Sequence, residues 1–258
     1  MGTDVAIDVR GPARPEAIAA AFACLREAEA RFSTYRPGSE ISRVRRGELA
    51  PADAHPDVRE VLDRCAALHR DTGGAFDAIA AGGGRPDPTG LVKGWALERA
   101  AALLERHGVR DFCLDGGGDI CVRGGPAPGA RWRVGVRHPC RRDRLAAVLE
   151  LTDAAVATSG AYERGEHIVD PRSGRPPRGV LSVTVVGPDL GTADAYATAA
   201  FALGADGPAW TATLAGHGAM TILEGGRVLA TPGFLRHCPG GSVAASLEAR
   251  GSASPPWP

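Results

Sequence analysis

The sequence predicts an α+β fold built around a largely antiparallel sheet, and two patterns carry that prediction. Short alternating segments at 110–114, 119–123, 131–137, 145–151 and 154–157 follow one another with only turns between them. Such runs of adjacent strands, without strict strand–helix alternation, mark antiparallel pairing. Around them lie longer stretches at 15–32, 54–69 and 90–107 whose apolar residues recur at helical spacing.

Taken in order, Val5-Ala6-Ile7-Asp8-Val9 alternates as a strand does, and Gly11-Pro12 breaks it. Residues 15–32 place Ile18, Phe22, Leu25, Ala28 and Phe32 on one helical stripe, and a polar turn follows at Arg36–Ser39. A second helix runs from Ala54 or Pro56 to His69, with Val58, Val61, Leu62 and Cys65 inward and Gly73-Gly74 behind it. From Phe76 to Pro88 no period is visible, and the segment reads as a loop. Gly90 to His107 is the strongest helix, with Val92, Trp95, Ala96, Ala100, Leu103 and Leu104 on one face and Gly108 placed for a left-handed C-cap. After the strand run, Ser182–Val186 is a further strand, and helices follow from about Thr192 to Leu203 and near 208–216. Residues 219–223 and 227–230 form a hairpin around Glu224-Gly225-Gly226. Beyond about 240 the Pro/Ser-rich chain can bury little and is expected to be a mobile tail.

Composition excludes several classes of function. The 258 residues are 44% hydrophobic and 23% charged, ordinary for a globular chain with a sizeable core. Thirty basic residues balance thirty acidic ones, so no global field attracts nucleic acid. No apolar run approaches the roughly 20 residues that span a bilayer, so no membrane insertion is expected. The N-terminus lacks a secretory signal, which points to a cytoplasmic setting. The six cysteines include no C-x-x-C pair and read as reduced, small apolar residues.

Four segments could carry chemistry. In Asp87-Pro88-Thr89-Gly90-Leu91-Val92-Lys93, a tight turn feeds a helix whose N-terminal amides suit a phosphate. Lys93 is the only lysine against 29 arginines and stands where a cation opposes the helix dipole, which suggests a bound anion; a solvated surface lysine is the bland alternative. Asp115-Gly116-Gly117-Gly118-Asp119 lets backbone approach a ligand, or is simply a hairpin turn. It fails the dinucleotide pattern, because Cys121 stands where the last glycine belongs and a strand follows. In Ala157-Thr158-Ser159-Gly160 a strand enters a small-residue turn, and His167-Ile168-Val169-Asp170-Pro171 adds a histidine and a carboxylate. Finally, Asp194 and Thr198 lie i,i+4 on a helix, so two oxygen donors project from one side, a pair that suits a hard cation such as Mg2+. Capping by Thr192 with Asp194 in the first turn is the competing account.

In order and wording these segments resemble the ApbE family of FAD:protein FMN transferases. The matching stretches are Phe32-Ser33-Thr34-Tyr35-Arg36-Pro37-Gly38-Ser39-Glu40-Ile41-Ser42-Arg43, Gly73–Asp77, Thr89–Trp95, Gly117–Ile120, Ala157–Gly160, His167–Gly174 and Ala193–Thr198, covering about residues 30–235. The resemblance implies one T-fold-like domain over 1–240 and Mg-dependent transfer of FMN from FAD to a threonine of an acceptor protein, with release of AMP. It implies a metal held by the Gly90 carbonyl with Asp194 and Thr198. Ser42, Asp77, Asp87, Lys93 and Ile168 would line the FAD site, as would Gly118, Asp119, Thr158 and Ser159. His167 and Asp170 would be catalytic. Two departures stand out: the family's longer aromatic segment is reduced here to Ala78–Pro86, and its histidine pair is Glu166-His167. An FAD pyrophosphatase, with water in place of threonine, and a silent FAD-binding protein remain alternatives.

Overall fold

The structure, a computed structural model, describes residues 3–160, 168–241 and 243, so the expected tail lies almost wholly outside it. The strands are β1 (Val5–Arg10), β2 (Asp111–Gly116), β3 (Asp119–Arg123), β4 (Trp132–His138), β5 (Arg141–Leu151), β6 (Ala154–Gly160), β7 (Val180–Gly187), β8 (Gly218–Leu223) and β9 (Val228–Ala230). The helices are α1 (Pro15–Phe32), α2 (Glu40–Arg45), α3 (Pro56–Asp71), α4 (Thr89–Arg106), α5 (Leu190–Ala202), α6 (Gly207–Thr211) and α7 (Pro232–Leu235). Seven strands form one sheet in the order β1-β2-β3-β6-β7-β8-β9, and every neighbouring pair is antiparallel, as the runs of adjacent strands predict. β4 and β5 pair with each other as a separate two-stranded sheet.

Three layers result. On one face of the sheet, Leu114, Cys121, Ala155, Val183 and Val185 share a core with α1, α4 and α5. On the other, Val122, Val156, Val186, Met220 and Ile222 meet Trp132, Val134, Val136, Leu149 and Leu151 of the β4–β5 hairpin. The strict alternation of burial along β4 follows: one side of the hairpin covers the sheet and the other faces solvent.

Helix α1 begins with Pro15 and Glu16 and ends with Arg31, each suited to its end of the dipole. Its buried stripe is Ala17, Ala21, Leu25, Ala28 and Phe32, rotated slightly from the predicted one, so Ile18 and Phe22 flank it. α4 is buried on a far wider arc than its predicted face, because it lies between α1 and α5 above the sheet. Gly108 takes φ +83° behind α4, as its predicted cap role requires. The predicted turn before α2 is present, but the short helix Glu40–Arg45, capped by Ser39, is an addition. The helix expected over 208–216 is only the short α6, and β6 continues through Thr158-Ser159-Gly160, where a turn was predicted.

The crossing of α4 and α5 decides where chemistry can occur. At Gly94 an added Cβ would stand 2.7 Å from Gly191 Cα and 2.7 Å from Leu190 O, so the two helix backbones touch there. A Gly94→Ala change gains up to about 1 kcal/mol of helix propensity but overpacks against backbone, at a cost of about 1–3 kcal/mol. A net loss of stability is expected in urea denaturation, and an unchanged or higher midpoint would show that the crossing can spread freely.

Candidate functional site

The contact at Gly94 and Gly191 places the first turns of α4 beside the middle of α5, over the end of β6. A cavity of about 660 Å3 opens there, within the roughly 300–1,000 Å3 typical of ligand sites. Its wall includes Asp77, Asp87, Gly90, Lys93, Thr158 and Ser159, together with Ile168, Asp194 and Thr198. Nine of the residues singled out from sequence therefore share one space, though they span more than a hundred positions of chain.

Each is fixed by its own element. Asp194 is 6% exposed on α5, and one turn later the Thr198 hydroxyl lies 3.3 Å from that of Ser159 on β6. Capping does not account for Asp194. The N-cap of α5 is Asp189, whose carboxylate accepts the N–H and hydroxyl of Thr192, both at 2.7 Å. Burial pushes the Asp189 carboxyl up, but those bonds and Arg64 outweigh it and hold it below the usual range. Glu98 of α4 completes this end of α5, accepting the Leu190 N–H at 2.8 Å while its other oxygen takes Arg123 at 2.7 Å. Neither Asp189 nor Glu98 stood out in the sequence, although an Asp three residues before a Thr N–H is a capping pattern.

α4 starts at Thr89, which puts Lys93 one residue deeper in the helix than predicted. Lys93 is not a surface lysine. Its ammonium pairs with Asp119, a carboxylate 2% exposed beneath the cavity that also accepts the Thr158 N–H at 3.1 Å. Burial pushes the Asp119 carboxyl above its ordinary value, against the opposing pull of Lys93 and of that N–H. The amides at the start of α4 are less available than predicted. Thr89 donates to Asp87 Oδ1 at 3.2 Å, and Leu91 and Val92 donate to the Pro88 carbonyl at 2.9 and 3.0 Å. Asp87 Oδ2 meets Arg45 at 2.9 Å, so this carboxylate braces the turn. Asp77 does the same nearby, accepting the N–H groups of Ile79 and Ala80 at 2.7 and 2.9 Å.

Four of the residues expected at the site do not line it. Ser42 is buried behind the wall, its hydroxyl donating to Ser33 O at 3.2 Å beside the Ser39 hydroxyl at 2.7 Å, and this fixes the lining segment Ser33–Tyr35. Gly118 sits in the β2–β3 turn and donates to Asp115 at 2.8 Å. Asp119 lies under the floor, as described. Asp170 stands between the lining residues Val169 and Pro171, but its carboxylate is held by Arg172 at 2.9 and 3.1 Å, which keeps its carboxyl below the usual range despite partial burial. His167 lies outside the described residues. Conversely, Glu29 of α1 and Tyr35, 95% exposed, belong to the wall and were not singled out as site residues.

Where α4 meets α5, the cavity wall offers hard oxygens: the carboxylate of Asp194, the hydroxyl of Thr198 and the backbone of Gly90. That set suits Mg2+, which commonly takes one or two carboxylates and leaves its other positions to water or phosphate. Among the described residues no cluster of three His, Cys, Asp or Glu could hold a metal unaided, so the phosphates of a ligand would have to complete the shell.

Comparison with known proteins gives a consistent result. The model of the ApbE family matches residues 1–84 and 81–221. An FAD:protein FMN transferase of Rhodobacter capsulatus is 38% identical over 152 residues, covering 55% of this chain and 28% of the relative. One from Treponema pallidum is 34% identical over 175 residues, covering 58% and 48%. The chain thus spans less than half the length of either curated relative. The solved flavin transferase ApbE of Vibrio cholerae superposes with a TM-score of 0.80 at 23% identity, covering 92% of this chain and 96% of that one. The ApbE protein of Thermotoga maritima gives 0.78 at 22%. At these identities the superpositions speak for the fold. They agree with a mixed helix and antiparallel-sheet architecture.

Proposed function

Because the chain belongs to the ApbE family, we propose that it is an FAD:protein FMN transferase that binds FAD and Mg2+ in this cavity. FMN passes to a threonine of an acceptor protein, and AMP leaves. One observation carries the reading: Gly90 and Lys93 of α4 meet Asp194 and Thr198 of α5 around a single cavity.

Asp194, Thr198 and the Gly90 carbonyl would hold the cation, which when bound neutralises charge on the diphosphate oxygens as the P–O bond breaks. Lys93, tethered by Asp119, presents a fixed ammonium to the same ligand and loses little freedom on binding. Ser33–Tyr35 and Ala75–Ala78 offer an apolar and aromatic wall for the flavin. Asp170, already bound to Arg172, is better suited to shaping the 170–175 turn than to accepting a proton; that role falls to His167. Among the described residues no helix is long and apolar enough to cross a membrane.

The test is incubation with FAD, Mg2+ and a threonine-containing acceptor, with products resolved by mass. A threonine gaining the FMN mass is the expected result. Free FMN without adduct would instead make the chain an FAD pyrophosphatase, and intact FAD would make it a binding protein.

A further inference from the structure

The chain as a whole is neutral, but its charge is unevenly placed. Residues 131–144 hold six arginines against a single acid, Asp143. Several arginines elsewhere are compensated: Arg31, Arg45, Arg64 and Arg123 each meet a carboxylate within 3 Å. On the β4–β5 hairpin, among the described residues, Arg133, Arg137 and Arg144 are exposed and have no carboxylate within ion-pair reach. Even Glu150, directly opposite Arg133, does not close on it.

These charges surround apolar surface. Arg133, Gly135 and Arg137 point outward from β4 at alternate positions, and their direct partners on β5 are Glu150, Val148 and Leu145. Leu145 is 57% exposed and lies across Gly135, where an added Cβ would stand 2.9 Å from its Cδ2. Among the described residues the other large exposed apolar ones are Tyr35, which lines the cavity, and Ile79, next in sequence to the lining residue Ala78, whereas Leu145 lies outside the cavity wall. The hairpin is a firm platform. Its inner face is core, and the His138 ring accepts the N–H groups of Cys140 and Arg141 at 3.0 and 3.1 Å to shape its tip.

An exposed leucine bordered by uncompensated arginines on a rigid strand pair has the make-up of a protein interface: an apolar anchor within charged residues that steer and orient. We infer that the outward face of the β4–β5 hairpin docks an acidic protein segment bearing an apolar side chain. This rests on the transferase reading to the extent that the segment belongs to the protein receiving FMN. A transferase acting on protein needs a recognition surface beyond the cavity, and here the complementary partner is acidic. Nucleic acid shares the charge but not the need for Leu145, and a single exposed leucine gives an anionic membrane little apolar area to bury.

The test measures binding of a fluorescent Glu-rich peptide containing leucine, and of its equally charged counterpart with serine in place of leucine. An oligonucleotide and phosphatidylserine vesicles serve as the other arms. The leucine peptide should bind best, and its affinity should fall with added salt. Arg133→Glu/Arg137→Glu and, separately, Leu145→Ser should each weaken it by about tenfold, with FAD binding unchanged. Equal binding of the two peptides, undiminished binding by the variants, or tighter binding of oligonucleotide or vesicles through the same arginines would overturn the assignment. If the wild type docks the leucine peptide but neither binds nor cleaves FAD, the transferase reading fails and the docking face stands.

Discussion

Replacing Lys93 by Met is expected to lower folding stability by about 3–5 kcal/mol, the usual cost of removing one partner from a buried ion pair. The sequence alone suggests only weaker ligand binding with an intact fold. The structure changes that expectation, because the carboxylate left behind, Asp119, is 2% exposed under the sheet–helix contact. With Lys93 gone, only the Thr158 N–H still offsets its desolvation by hydrogen bonding. A second change, Asp119→Asn, removes the stranded charge and should restore much of the loss. Urea denaturation of the wild type, the single variant and the double variant without ligand decides it. A Lys93→Met midpoint equal to wild type would mean that solvent already compensates Asp119. The deficit also has a pH sign. Burial raises the folded carboxyl of Asp119 above its ordinary value, so between the unfolded and folded values the folded state binds more protons than the unfolded one. Stability from this group is present at low pH and lost as pH rises through the folded value. Lys93 pulls that value down, so its removal raises it further, and the deficit of the variant should shrink on acidification.

The same pair shows what could be read from sequence and what could not. A single lysine among arginines, against the helix dipole, marked Lys93 as unusual, and it does line the cavity. Its tie to Asp119 was hidden, because residues 26 positions apart on a helix and a strand leave no mark in local spacing. Asp119 was legible as the start of a strand and the end of a glycine-rich approach loop, but not as a carboxylate buried under the floor. Asp189 and Thr192 show a related limit. Both fit a cap, and the structure shows Asp189 in that role, helped by Glu98, 92 residues away and bonded to the Leu190 N–H. Likewise the alternating segments at 131–137 and 145–151 declared themselves strands. Their detachment as a hairpin over the main sheet depends on which apolar face they cover, a property of the assembled core. The helices at 15–32 and 90–107 were legible to within a residue or so, because their periods are long and proline or glycine punctuates their ends.

Asp194→Ala is expected to reduce FMN transfer by about 10³-fold, since a bound metal supplies several kcal/mol of charge stabilisation and each 1.36 kcal/mol is a factor of ten. On the proposed reading Asp194 is the carboxylate of a donor set with Thr198 and the Gly90 backbone, and a neutral side chain there would leave only dipoles to hold a divalent cation. The fold should survive. The start of α5 is secured by Asp189, Glu98 and Arg64 rather than by Asp194, so circular dichroism should be unchanged. Thr198→Val removes a neutral donor that also contacts the Ser159 hydroxyl, and it should cost far less, with activity recovering at high Mg2+. Rates measured across a magnesium series separate the two variants. Asp194→Ala should stay low at every concentration, whereas Thr198→Val should shift the half-saturating concentration upward. Wild-type rates in Asp194→Ala would remove the cation from the α4–α5 cleft, and the meeting of those helices would then concern packing alone.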